Sequence, residues 1–133
     1  MKIQDLLIKH EGLRLKPYTD TVGKLTIGIG RNLSDVGISN NEALILLQND
    51  INTATKELQK NLLWFDGLPD NVKMVLLDMC FNMGIEELLE FKITLSLIKN
   101  GKYKEASIEM LKSKWASEVG ERAKEDSNLL NQI

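Results

Sequence analysis

Residues 9–33 read KHEGLRLKPYTDTVGKLTIGIGRNL, and their pattern differs from that of the rest of the chain. LRLKPYTD and KLTIGIG alternate in character, and TVGK between them carries a turn glycine. The spacing predicts a small β-hairpin over Leu13 to Ile29. Gly28 and Gly30 leave one strand face without side chains, so another backbone or a ligand can come close there. Two carboxylates, Glu11 and Asp20, and the hydroxyl of Thr26 lie in or beside this hairpin.

The flanking sequence is helical in pattern. Upstream, Ile3, Leu6 and Leu7 followed by Lys9 and His10 predict a short amphipathic helix over residues 2–10 that ends near Gly12. Downstream, Ser39 with Glu42 three residues later forms a capping box. It opens a long helix over 39–59 with the apolar stripe Leu44, Leu47, Ile51, Ala54 and Leu58, about five turns at 3.6 residues per turn. WFDGLPD breaks that helix. Asp70 is the expected cap of the next one, NVKMVLLDMCFNM, which stops at Gly84. That helix is apolar nearly all round, hence central, and Asp78 inside it needs a partner. One or two short helices are expected over 85–99, then KYKEASIEMLKS, then Trp115, and a final helix from Glu118 to about Leu130. Trp64 and Trp115 read as core residues.

The expected fold class is α+β and mostly α, a single domain over residues 1–133. It has two lobes: a hairpin lobe over about 13–38 and a helical lobe over about 1–11 and 60–133, joined by the helix over about 39–59.

Composition excludes several function classes. With 17 Lys and Arg against 19 Asp and Glu, the chain shows no basic footprint for nucleic acid and no overall attraction to an acidic membrane. Cys80 is the one cysteine and His10 the one histidine, so neither a zinc site nor a histidine-dependent triad can be assembled. No cofactor or metal is implied, and Cys80 reads as a small core residue. The apolar patch at the start is interrupted by Gln4, Asp5 and Lys9, which leaves no continuous leader core. No run approaches the roughly 18 apolar residues of a membrane helix. A product made in the host cytoplasm, without stable membrane insertion, is the expectation.

A carboxylate pair at a cleft can divide acid and base work when the two environments differ. Glu11 at a helix end beside the apolar lobe is expected to be partly buried and to keep its proton as a general acid. Asp20 in the hairpin is wetter and ionised, and Thr26 on the opposite strand offers a hydroxyl that can hold a water near it. These are the parts of an inverting glycosidase, whose carboxyl groups stand about 6.5–9.5 Å apart. Spacing alone leaves open a solvated hairpin with charged decoration.

HEGLRLKPYTDTVGKLTIGIG also resembles the N-terminal signature of the phage-type lysozymes, the endolysins of glycoside hydrolase family 24. The correspondence runs through Glu11-Gly12, Tyr18-Thr19-Asp20, Gly23 and Thr26-Ile27-Gly28-Ile29-Gly30. It continues in GISNNEALILLQNDI, in FNMG at 81–84 and in SKWASEVGERA at 113–123, nearly the whole chain. The resemblance implies a monomeric muramidase that hydrolyses the β-1,4 bond between N-acetylmuramic acid and N-acetylglucosamine in bacterial peptidoglycan glycan strands. It makes Glu11 the acid and gives Asp20 and Thr26 the water or the charge at the anomeric carbon. It makes Arg122 a supporting residue that pairs with Glu11, a pairing that substrate must displace or dry out. Asn32, Phe81, Asn82, Thr94 and Glu109 fall at substrate-contact positions, although Phe81 reads equally as a core aromatic. Such an enzyme waits in the host cytoplasm until a membrane pore releases it to the wall.

Some features depart from the family pattern. Arg31 stands where many relatives have His, which is expected to remove one structural ion pair. The short segment between Leu33 and Ser39 makes the hairpin lobe minimal. His10 and Asp78 are a candidate pair at the base of the cleft. A non-catalytic peptidoglycan-binding module and a lytic transglycosylase remain alternative functions, as does a helical interaction protein.

Overall fold

The computed structural model describes residues 2–132. Its elements run α1 (Ile3–Glu11), β1 (Arg14–Thr19), β2 (Leu25–Gly28), β3 (Arg31–Asn32), α2 (Asn40–Asn61), a 3-10 turn at Phe65–Gly67, α3 (Asp70–Met83), α4 (Ile85–Leu89), α5 (Lys92–Lys99), α6 (Tyr103–Met110), α7 (Lys114–Val119) and α8 (Glu121–Asn131). The class is α+β and mostly helical, a lysozyme-like arrangement of elements as expected. Contacts divide the chain into two units, one ending at Leu46 and the other beginning at Leu47, so α2 runs from one into the other.

In the first unit, α1 closes where the Gly12 N–H donates to the Ile8 carbonyl. The sheet is antiparallel, in the order β1-β2-β3, with Tyr18 opposite Thr26 and Thr26 opposite Asn32. The hairpin is therefore extended by a third strand that the pattern did not announce, because two residues are too few to show alternation. Arg31 also corrects the expectation of a lost ion pair. Its Nη1 lies 2.7 Å from Glu42 Oε1 at the start of α2. Glu42 completes the capping box as well, accepting from the Ser39 N–H at 2.9 Å while its own N–H donates to Ser39 Oγ at 3.1 Å. The hydrogen bond from Arg31, and after it the Ser39 amide, holds the Glu42 carboxyl down at about 2.

The second unit holds the core. Leu58, Leu76, Met79, Leu88, Ile98, Met110 and Leu130 are fully buried, and α3 contributes five buried apolar residues, which makes it the central helix. Cys80 is buried among them, and burial pushes its thiol up.

Three expectations change here. Asp70 does not cap α3. Pro69 holds the cap position and Asp70 is the first helical residue, its charge facing the positive end of the helix dipole. The α2 stripe is buried only at Ala54 and Leu58, while Leu44 and Leu47 are exposed. The final helix is two, because Gly120 at φ 61, ψ −113 adopts a conformation that L side chains resist. Ser113 caps the unforeseen α7, its Oγ accepting from the Ala116 N–H at 3.1 Å. Trp115 is buried as expected and meets Phe91 edge to face, with ring centroids 6.2 Å apart.

Candidate functional site

The candidate residues fall into two groups, one in each unit. In the first, the geometry begins at Gly30, in the bend between β2 and β3. A Cβ placed on Gly30 would lie 2.7 Å from Glu11 Oε2, so the carboxyl group rests directly on that bend. The backbone there has φ +72, and glycine satisfies both conditions. Within the first unit the Glu11 side chain is otherwise exposed. Glu11 is the last residue of α1, and Gly12 after it stands at φ 75.

Asp20 and Thr26 meet through one residue. Asp20 Oδ1 accepts from the Val22 N–H at 3.0 Å and the Lys24 N–H at 2.8 Å, which braces the turn and leaves Oδ2 outside those bonds. Thr26 is buried on the central strand, and its Oγ1 donates to the Lys24 carbonyl at 3.0 Å. A hydroxyl whose proton is so directed keeps its lone pairs for an incoming donor such as water. The backbone of Lys24 thus ties the two side chains together, a link that no spacing rule announces. Asn32 is used by its own loop. Its Nδ2 donates to Asp35 Oδ2 at 3.1 Å and its Oδ1 accepts from the Asp35 N–H at 3.0 Å.

In the second unit, Thr94 and Glu109 come together in one hollow of about 540 Å³, with Phe91, Lys112 and Ser113 around them. Glu109 is paired with Lys112 at 3.2 Å, and Thr94 is buried. Phe81 is 48% exposed, which decides against the core-aromatic reading. Asn82 Oδ1 accepts from the Trp115 Nε1–H at 2.8 Å, so this side chain braces a buried tryptophan.

Arg122 is the pivot of a separate cluster. Its Nε lies 3.0 Å from Asp78 Oδ2 and its Nη2 2.7 Å from Asp78 Oδ1, a two-pronged pair from α8 to α3. In the structure Asp78 and Arg122 hold each other. The third member, Asp126, was not singled out from the sequence. It is 3% exposed and lies one turn after Arg122 on α8. Burial, and then the hydrogen bond to Asp78 and its charge, push its carboxyl up to about 8. Burial opposes ionisation of Asp78 too, but the hydrogen bonds from Arg122 and Asp126 and the guanidinium charge bring that carboxyl below its ordinary range. An acid at an inward-facing helix position was the only available signal. Among the described residues, no group of His, Cys, Asp and Glu could hold a metal ion.

The sequence profile of the family described as "Phage lysozyme" matches residues 8–131, a span that includes both groups. Two proteins of Dictyostelium discoideum are also similar. "Probable T4-type lysozyme 1" is 32% identical over an alignment covering 91% of this chain and 88% of the relative. "Probable T4-type lysozyme 2" is 29% identical with the same coverages, 91% and 88%.

Proposed function

The chain belongs to the phage lysozyme family, whose activity is peptidoglycan hydrolysis, and from that premise we propose that it cleaves the β-1,4 bond between N-acetylmuramic acid and N-acetylglucosamine with inversion. Glu11 is the general acid. Asp20, through the oxygen not used by its turn, and Thr26, through its lone pairs, orient the attacking water. The observation that carries this reading is the seat of the Glu11 carboxyl on Gly30, beside a strand whose Thr26 shares Lys24 with Asp20.

In this reading the substrate is the glycan strand of bacterial peptidoglycan, and the protein acts as a monomer. Asn32, Phe81, Asn82, Thr94 and Glu109 contribute to binding of that strand, and Arg122 is a supporting residue that acts through Glu11. No described helix is long and apolar enough to cross a membrane. In this reading the protein is an endolysin, made in the host cytoplasm and released to the wall through a membrane pore.

The test is release of soluble muropeptides from purified peptidoglycan by wild type, Glu11→Gln and Asp20→Asn, with mass analysis of the new ends. Asp20→Asn keeps an oxygen for the Val22 and Lys24 amides, so its effect reads the lost charge and not a broken turn. Reducing muramic ends from wild type, lost in Glu11→Gln, support hydrolysis through that acid. Anhydro ends would reassign the chemistry to a lytic transglycosylase. Binding of the polymer by a folded wild type that releases nothing would leave a binding module.

A further inference from the structure

The Asp78–Arg122–Asp126 cluster contains two carboxyl groups and one guanidinium. The guanidinium is committed, with Nε and Nη2 both on Asp78. Asp126 is almost wholly enclosed, and its Oδ2 is buried without any hydrogen-bond partner. Were both carboxyls ionised, the cluster would carry a net negative charge, with the Asp126 share of it closed off from water and one buried oxygen unsatisfied. Each of those conditions is costly. A single proton on Asp126 removes both. It turns an acceptor that lacks a donor into a donor, and Asp78, which lines the same hollow, is the neighbouring carboxylate that can accept it.

We propose that Asp126 keeps its proton at neutral pH and donates it to Asp78, so that Asp78 stays ionised and holds the Arg122 guanidinium in one orientation. Asp78 and Asp126 are then positioning residues for Arg122, and the cluster is a proton-dependent lock between α3 and α8. The groups acting on Asp126 are Asp78 from α3 and Arg122 and Glu125 on α8 itself. Among the described residues no charged group of α6 or α7, the other helices packed on α8, contributes. The cluster borders a hollow of about 680 Å³ also lined by Leu47, Ile51 and Phe81, so the proton is enclosed yet can exchange with solvent. All these residues lie in the second unit, and the proposal is independent of the catalytic reading.

The folded state holds a proton that an unfolded chain releases near an ordinary Asp value of about 3.9. The folded chain therefore binds more protons than the unfolded one above that point. The stabilisation is complete below it and is lost as pH rises through about 8.

The experiment is a carbon-detected NMR titration of the aspartate carboxyl groups in the full chain from pH 4 to about 9.5, with the Arg122 Nε–H followed in parallel. One carboxyl is expected to titrate far above the others. It is assigned to Asp126 through its own backbone, and the Arg122 signal moves with the same midpoint. Thermal midpoints across the same range should fall for wild type by about 5 °C or more, relative to Asp126→Asn, which cannot titrate and still offers N–H donors to Asp78. All aspartates titrating below pH 6, or an Arg122 signal indifferent to the high-pH event, would overturn the proposal. If Asp126→Asn does not fold, the wild-type titration decides alone.

Discussion

The two units each contain a pair of acids, and the pairs are built in opposite ways. Glu11 and Asp20 are held by backbone. One rests on a glycine and the other accepts two amide N–H groups of its turn. Asp78 and Asp126 are held by side chains around one guanidinium, Asp78 at the edge of the helical core and Asp126 within it. An acid fixed by backbone and open to solvent can be replaced with little cost to folding, and can move a proton to a substrate. An acid fixed by a buried network is part of the fold, and its charge state becomes a condition of stability.

That contrast predicts its own points of failure. The largest effect falls on Glu11→Gln, which should lower muropeptide release by about 10²–10⁴-fold. Its folding free energy should stay within about 0.5 kcal/mol of wild type. A variant that also unfolds would show that the first pair is structural too. Next comes Gly30→Ala, where the new methyl group meets the Glu11 carboxyl and the backbone sits at positive φ. Activity should fall by about 10²-fold, with roughly 1–2 kcal/mol lost from stability in urea unfolding.

Asp78→Ala should reverse the pattern, costing about 1–2 kcal/mol because Arg122 and Asp126 lose their shared partner. The figure is modest because the ion pair is more than a third exposed. Asp126 should then titrate lower, freed of a neighbouring negative charge. The smallest effect is expected at Asn82→Ala. Loss of the Trp115 hydrogen bond should remove about 1 kcal/mol of stability, and KM for the glycan should rise with kcat unchanged. A KM equal to that of wild type would leave Asn82 a brace for Trp115 alone.

Much of the first unit could be read in advance because its determinants are local. The end of α1 at Gly12, the turn at Gly23 and the Ser39–Glu42 capping box each depend on residues a few positions apart. The strand Arg31–Asn32 escaped because it exists only through its pairing with β2. In the second unit, periodicity announced α3, α5 and α6, while α7 was hidden because six residues ending at a glycine show too little of a helical period. The pairing of Arg122 crosses 44 residues, and nothing local distinguishes Asp78 from any other acceptor of its guanidinium.

By itself the sequence determined the fold class, the order of most elements and the family. Each of these depends on residue type and on short spacing. Only the tertiary structure decided that Glu11 is seated on Gly30, that Lys24 links Asp20 to Thr26, and that Arg122 lies between Asp78 and a buried Asp126. Those relations arise where chain segments meet, and burial and charge at such a meeting point are set by all the segments that form it.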